Sequence, residues 1–195
     1  FITAVAIDLE VLILSVIVML LWISSYYVAY IISKPYKSGI LKLKADEIEL
    51  LRKTVRRTWA FFEDVVTEKD NYLPPDNFQE DPYKGIAHRT SPTNIGLMMA
   101  SAIAAVDFGY ISQYDMLKLL DKVVNTLEKM DKWEGHLFNW YNTTNLKVLR
   151  PAYVSTVDSG NFIGYLMVVS EALKEFPKTN DKNIVQGLKD TINVA

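Results

Sequence analysis

An uncharged apolar stretch lies near the start of the chain. No Asp, Glu, Lys, Arg or His occurs in the 22 residues Val11–Ile32. With a rise of about 1.5 Å per residue, a helix of this length spans about 33 Å, enough to cross a hydrocarbon core of about 30 Å. The pattern predicts a transmembrane helix. We expect it to end at Pro35, because proline lacks an N–H and disfavours helix at the residue before it.

The flanks of this stretch predict its orientation. An aromatic belt lies in its C-terminal half: Trp22, Tyr26, Tyr27 and Tyr30. Lysines follow the stretch: Lys34, Lys37, Lys42 and Lys44. Because Asp8 and Glu10 precede it and basic residues favour the cytoplasmic side, we expect the rest of the chain to be cytoplasmic. A buried core helix and a signal peptide are the alternatives, but the acidic start and long apolar run disfavour a signal peptide.

Beyond this stretch, apolar positions recur at three- and four-residue steps, which predicts amphipathic helices. Five are expected: 45–66, 95–108, 112–130, 159–176 and 181–194. The helix at 95–108 is apolar nearly all round and should be buried on every side. Its expected N-cap is Thr93 and its expected stop is Gly109. Asp158 and Asn180 are the expected caps of the last two helices.

Two long loops separate these helices. Residues 70–94 hold four prolines and few periodic apolar positions, and residues 131–157 are aromatic and rich in turn residues. Residues 142–145 could form a short hairpin or a structured loop. Helical hairpins with long loops on one side are typical of a toroid of paired helices. Five helices cannot close such a ring, so we expect this chain to be part of a longer protein.

Composition and charge exclude several classes of protein. Of 23 acidic residues, all but Asp8 and Glu10 lie after residue 33, where 21 acidic residues balance 21 basic ones. This balance gives no electrostatic surface for nucleic acid. The absence of cysteine excludes disulfides and thiolate chemistry, and two histidines make a histidine-rich metal centre unfavourable. We therefore expect no metal site and no cofactor.

The first loop and its end combine carboxylates, amides, an imidazole and a guanidinium. Planar amides and carboxylates bind pairs of sugar hydroxyls, so we interpret this loop as a carbohydrate site. The equally good alternative is a loop whose polar groups satisfy its own backbone. Its candidate site residues are Asp76, Asn77, Gln79, Glu80, His88, Arg89 and Asn94.

The second loop adds aromatic and amide groups, with candidate residues Asn139, Trp140, Tyr141, Asp158 and Asn161. Trp140 and Tyr141 are possible stacking surfaces for sugar rings, although core packing is the more common use of aromatic residues. For Asp158 a helix cap is the simpler interpretation. Glycoside chemistry uses paired carboxylates, and the candidates are Glu80, Asp81 and Asp158. The sequence gives no separation between them, so no pair is assigned.

Five strings in and beside these loops resemble the central region of cyclic β-1,2-glucan synthases. They are RTW (57–59), LPPDNFQE (73–80), HRTSPTNIGL (88–97), NWY (139–141) and VDSGN (157–161). The resemblance covers roughly residues 50–175. In that family the region is a glucoamylase-like domain with an (α/α)6 toroid. The domain is associated with the transglycosylation that closes the glucan ring, inside a large enzyme of the bacterial inner membrane.

The resemblance implies an all-α fold, with one transmembrane helix (1–35) followed by the first part of an incomplete (α/α)6 toroid (36–195). It implies a carbohydrate-active enzyme acting on β-glucan, with Glu80 or Asp158 assisting catalysis and the other candidates binding substrate. The implied partners are β-glucan, a lipid bilayer and other domains of the same polypeptide. We expect this segment alone to be inactive. A non-catalytic glucan-binding or scaffolding toroid and a glucan hydrolase are the alternatives.

Overall fold

The structure is a computed structural model that describes residues 9–34, 42–176 and 183–194. Its contacts divide the chain into two compact units, Phe1–Leu43 and Lys44–Ala195. The helices are α1 (Leu9–Ile32), α2 (Ala45–Val65), α3 (Pro92–Phe108), α4 (Gln113–Lys129), α5 (Thr156–Glu175) and α6 (Ile184–Ile192). Each predicted helix is therefore present, with shifted ends.

Short strands occupy the loops of the second unit. They are β1 (Phe78–Gln79), β2 (Gly85–Ile86), β3 (Arg89–Thr90), β4 (Lys132–Trp133), β5 (His136–Leu137) and β6 (Tyr141–Asn142). Each of these strands has two residues, and they form three antiparallel pairs: β1 with β2, β3 with β6, and β4 with β5. The all-α prediction holds, because these ladders only shape the loops between helices.

Helix α1 is apolar along its length. Val11–Ile32 has a mean hydropathy of 2.3, and its residues are not buried. Among the described residues it is the one helix long and apolar enough, by length and composition, to cross a membrane. A helix over this stretch is confirmed, and its crossing of a membrane stays a prediction. The expected flanking residues Asp8, Pro35 and Lys37 lie outside the described residues.

Serine residues cap the two helices that begin beside the long loops. Helix α3 begins at Pro92, because Ser91 Oγ accepts the backbone N–H of Asn94 (3.3 Å) and proline suits the first helical position. Helix α5 begins after Ser155, whose Oγ accepts the N–H of Asp158 (3.1 Å). The predicted caps Thr93 and Asp158 are therefore wrong, because both residues lie inside the first helical turn.

Helix α3 forms the centre of the second unit. It packs against α2, α4, α5 and α6. Its buried residues lie on the side that faces these helices: Pro92, Ile95, Gly96, Met98, Met99, Ala102, Ile103, Ala105 and Val106. The prediction of burial on every side is wrong, because Leu97 is 46% exposed and Ala104 on the same face is also exposed. Gly96 allows α5 to approach closely, because a Cβ at this position would lie 2.6 Å from Tyr165 Cδ2. The core therefore depends on one small residue at the α3–α5 contact.

Helix α6 covers the C-terminal end of α3. Gly109 ends α3 in the left-handed conformation (φ 78°), as predicted, and its carbonyl would collide with any Cβ at Gly187 of α6. An ion pair between Arg52 of α2 and Asp190 of α6 (2.7 Å) fixes the same helix from the other side. The predicted cap of α6, Asn180, lies outside the described residues.

Candidate functional site

A β-ladder brings the two long loops together. Strand β3 pairs with β6, so that Arg89 lies opposite Asn142 and Thr90 lies opposite Tyr141. The N–H of Thr143 also donates to the carbonyl of His88 (3.1 Å). Candidate residues far apart in the sequence thereby become neighbours.

The chain reverses immediately after β6. Asn142 Oδ1 accepts the N–H groups of Thr144 (2.9 Å) and Asn145 (3.1 Å), and Tyr141 forms a β-bridge with Val148. This is a tight asparagine turn of the kind that favours chain reversal. Of the two alternatives for residues 142–145, the short hairpin is therefore correct, within a longer structured loop.

Arg89 connects the two loops through its side chain. Its Nε and Nη2 both donate to Oδ2 of Asp76, at 2.9 and 2.7 Å. The Nδ2 of Asn77 donates to the same oxygen (3.0 Å). On its other side, the guanidinium carbon lies 5.1 Å from the ring centroid of Trp140, within the range of a cation–π contact. Arg89 thus positions a carboxylate and an indole relative to each other.

Asn139 continues this arrangement to the first turn of α5. We orient its amide by the hydrogen bonds that surround it. Nδ2 then donates to Oδ2 of Asp158 (2.9 Å), while Oδ1 accepts from Trp140 Nε1 (2.6 Å) and the Tyr153 hydroxyl (2.8 Å). The backbone N–H of Asn139 also donates to the carbonyl of Tyr153 (2.8 Å). Asp158, though not a cap, is therefore held at the site by an amide.

An open cleft of about 470 Å³ lies beside the first loop. Four candidate residues line it: Asn77, Gln79, His88 and Arg89. Their amides, imidazole and guanidinium can donate to and accept from several hydroxyl groups at once. The cleft therefore suits a polar, polyhydroxylated ligand. Among the described residues, no group of three or more histidine or acidic side chains is placed to bind a metal ion.

Tyr141 does not line this cleft. Its ring is completely buried (0% exposed), and its hydroxyl donates to the carbonyl of Asp131 (2.6 Å) and accepts the N–H of Phe138 (2.7 Å). Burial raises the pKa of Tyr141 to about 12, opposed by the bond from Phe138. The interpretation of Tyr141 as a stacking surface is therefore wrong, because strand β6 directs this ring into the core.

Three other candidate residues lie apart from the connected group. Glu80 is exposed in the turn between β1 and β2 and is not among the residues that line the cleft. Asn161 of α5 donates to Thr93 Oγ1 of α3 (3.4 Å). The Nδ2 of Asn94 is buried without a hydrogen-bond partner among the described residues. No contact in the described structure joins Glu80 to Asp158.

Sequence reasoning missed Asp70 and Tyr153. Asp70 is buried and contacts His88 (2.7 Å) and Thr143 (2.5 Å), although it lies at the start of the first loop and acidic residues are mostly exposed. Tyr153 binds Asn139, as described above. The only local signal for Asp70 is the Asp-Asn pair directly before a proline-rich loop, which favours a turn but does not identify its partners.

One curated relative aligns with most of this chain. The cyclic β-(1,2)-glucan synthase NdvB of Rhizobium meliloti (strain 1021) is 43% identical over 174 residues, which cover 89% of this chain and 6% of the relative. This chain is homologous to one segment of the cyclic β-1,2-glucan synthases. The resemblance of the loop strings to this family is thereby confirmed. No family model matches the chain.

Solved structures show the fold of this chain. A glucoamylase-like protein from Bacteroides fragilis NCTC 9343 matches 83% of this chain and 37% of its own, with a TM-score of 0.55 and 20% identity. An endo-β-1,2-glucanase from Chitinophaga pinensis, solved with sophorotriose and glucose, matches 78% of this chain and 36% of its own, with a TM-score of 0.55 and 16% identity. This chain therefore has the fold of part of an (α/α) toroid, as predicted.

Proposed function

We propose that this segment binds β-1,2-glucan and takes part in the transglycosylation that closes the glucan ring. The observation that supports this most directly is the connected group Asp76–Arg89–Trp140–Asn139–Asp158 beside the open cleft. It combines an aromatic face for the C–H surface of a sugar with carboxylates and amides for its hydroxyls. Homology to a cyclic β-1,2-glucan synthase makes β-1,2-glucan the preferred ligand.

Within this proposal the candidate residues have distinct roles. Trp140 stacks on a glucose ring, and Asn77, Gln79 and His88 bind hydroxyls in the cleft. Asp158 is the better placed of the two proposed catalytic carboxylates, because Asn139 fixes it at the site. Glu80, in the exposed turn of the β1–β2 hairpin, assists only if the bound glucan extends to that turn.

The test uses the full-length protein that carries this segment. We expect Asp158→Asn and Trp140→Ala each to lower formation of cyclic glucan at least about tenfold, the effect of losing about 1.4 kcal/mol of transition-state stabilisation. Glu80→Gln tests the second carboxylate. Glu128→Gln, which changes an exposed carboxylate on α4, is the matched control and should leave activity unchanged. Normal activity and normal glucan affinity in both Asp158→Asn and Trp140→Ala would refute the assignment.

A non-catalytic glucan-binding role is the second candidate. The lining of the cleft favours it, because neither Glu80 nor Asp158 is among the lining residues, and a two-carboxylate mechanism needs both groups at the substrate. The two roles differ in one measurement. If Glu80→Gln and Asp158→Asn weaken glucan binding but leave the turnover of bound glucan unchanged, the segment binds glucan without catalysing its transfer.

We also propose that α1 spans the membrane with the second unit on the cytoplasmic side. The length and hydropathy of α1 and the lysines after it support this orientation. The chain contains no cysteine, so a single introduced cysteine is a clean probe. A cysteine at exposed Glu128 should react with an impermeant maleimide in inverted inner-membrane vesicles and not in spheroplasts. The opposite pattern would reverse the orientation.

A last part of the proposal concerns other domains. Helix α5 exposes several large apolar side chains: Val157, Ile163, Leu166, Met167, Val168 and Leu173. An exposed apolar face of this kind marks a contact surface. Because the structural relatives extend well beyond the part that this chain matches, we propose that further helices of the same polypeptide cover it.

A further inference from the structure

The carboxylate of Asp70 lies behind the cleft, and Asp70 is not among the candidate site residues. Asp70 exposes only 4% of its surface. Its Oδ1 lies 2.7 Å from His88 Nδ1 and accepts the hydroxyl of Thr143 at 2.5 Å. Burying a carboxylate is costly unless its hydrogen bonds are satisfied. Among the described residues, the basic side chain in contact with Asp70 is His88.

The backbone around Asp70 is held in an uncommon conformation. Asp70 ends a 3-10 turn, and the next two residues, Asn71 and Tyr72, have φ angles of 53° and 58°. Non-glycine residues rarely adopt this left-handed region, and such residues are frequent at functional sites. The Nδ2 of Asn71 donates to the carbonyl of Thr143 (2.7 Å), and Thr126 Oγ1 donates to the carbonyl of Asn71 (2.8 Å). These bonds fix Asp70 relative to the second loop.

His88 is the group on which this fixed carboxylate acts. Its side chain lines the open cleft and is 36% exposed. Because a carboxylate accepts the bond at Nδ1, that nitrogen carries a proton, and in the neutral imidazole Nε2 then keeps its lone pair. Nε2 has no hydrogen-bond partner among the described residues. The ring therefore has one nitrogen bound to the protein interior and one hydrogen-bond acceptor left for the cleft.

We infer that Asp70 is a positioning residue that holds His88 so that Nε2 accepts a hydrogen bond from a glucan hydroxyl. This inference rests on the proposed glucan-binding function. Asp70 itself does not touch the glucan. It selects the tautomer of His88 and fixes the plane of the imidazole through the bond at Nδ1.

The competing role for Asp70 is purely structural. Through Thr143 and His88 it joins the two long loops, and this connection alone could explain its burial. A neutral asparagine could also accept these two hydrogen bonds. The negative charge of Asp70 adds something that asparagine lacks, because it favours the tautomer of His88 that carries its proton on Nδ1. The experiment therefore has to separate an effect through His88 from an effect through the loops.

The test is a double-mutant cycle in the full-length protein, with a linear β-1,2-glucan oligosaccharide as the probe. His88→Asn keeps a group near the position of Nδ1 but removes Nε2, and we expect it to weaken glucan binding about tenfold, the loss of one hydrogen bond. Asp70→Asn should weaken binding about fivefold in the parent and should have no further effect in the His88→Asn background. Residues that act through one another show such non-additivity.

Thr143→Val is the matched structural control. It removes the other hydrogen bond to the same Asp70 oxygen, so it should lower the melting temperature while changing glucan affinity less than about twofold. The inference is overturned if the Asp70→Asn and His88→Asn effects multiply, or if His88→Asn binds glucan normally. Trp140→Ala separates the two proposals. If His88→Asn and Trp140→Ala both bind glucan normally, the proposed function fails. If Trp140→Ala loses binding and the other variants do not, the proposed function stands and the role of Asp70 is overturned.

Discussion

Helices α3 and α5 are both apolar and pack against each other, yet they differ in how much of their surface is buried. In α3 the buried side chains include Ile95, Met98 and Met99, whereas in α5 Val169 alone is buried. Helix α3 also packs against α2, α4 and α6, while the extensive contact of α5 among the described elements is with α3. The same apolar composition therefore has two outcomes, which depend on how many neighbours a helix has.

This difference also separates stability from function. Helix α3 supplies the core and begins at Pro92, and its cap Ser91 directly follows the paired strand β3. Helix α5 begins at the site, with Asp158 in its first turn bound to Asn139. Substitutions in α3 should therefore act on folding, and substitutions along the outer face of α5 should act on what covers that face.

The largest expected contrast is between two methionines. Met98 in α3 is 0% exposed and Met167 in α5 is 65% exposed. Met98→Ala should lower the free energy of unfolding by about 3 kcal/mol because it leaves a cavity, and Met167→Ala by less than about 0.5 kcal/mol. Urea unfolding of the chain in detergent measures both. Equal losses would show that α5 is buried in solution.

A second contrast uses two helical glycines. A Cβ at Gly96 would overlap Tyr165, whereas a Cβ at Gly164 meets nothing within 4 Å. Gly96→Ala should destabilise the protein by about 2 kcal/mol through overpacking, and Gly164→Ala should stabilise it by about 0.5 kcal/mol through helix propensity. Thermal melting of the two variants gives the comparison. A stabilising Gly96→Ala would mean that α3 and α5 are further apart than described.

A third prediction concerns α6, which covers α3. Burial opposes ionisation of Asp190, but hydrogen bonds from Arg52 and Gln186 and the charge of Arg52 prevail and hold the pKa of Asp190 below its ordinary value of 3.8. A lowered pKa in the folded state stabilises the protein above the unfolded-state pKa, and this stabilisation is lost as the pH falls through the folded-state value.

Asp190→Asn should therefore cost about 1 kcal/mol at pH 7, the worth of a hydrogen bond to a charged group, and progressively less below about pH 4. Unfolding experiments from pH 7 to pH 2 on both proteins test this. A difference in stability that stays constant over this range would show that the charge of Asp190 does not hold α6 in place.

The smallest effect is expected on the outer face of α5. Val168 is half-exposed there, so Val168→Lys should change the stability of this chain by less than about 0.5 kcal/mol and should reduce its aggregation. In a longer protein whose further helices cover this face, the same substitution should cost more, because it buries a charge. An equal effect in both proteins would contradict the proposed cover.

Several parts of the fold could be predicted because their causes are local. The uncharged run Val11–Ile32, the stop at Gly109 and the periodic apolar positions of α2 and α4 depend on neighbouring residues alone. The loop strings likewise sufficed to identify the family. The predicted N-caps were wrong by a few residues, because several nearby polar residues can each cap a helix. Proline at the first helical position identifies Ser91 as the cap of α3, but no such signal identifies Ser155 as the cap of α5.

The sequence by itself therefore determined the helices, the candidate loops and most of the side chains that meet at the site. Only the tertiary structure decided which loop residues face the cleft, because the β3–β6 pairing joins distant segments and alternates their side chains between two faces. That alternation buries Tyr141 and leaves Arg89 beside Trp140. It also places His88 next to Asp70, a contact that no spacing along the chain could have indicated.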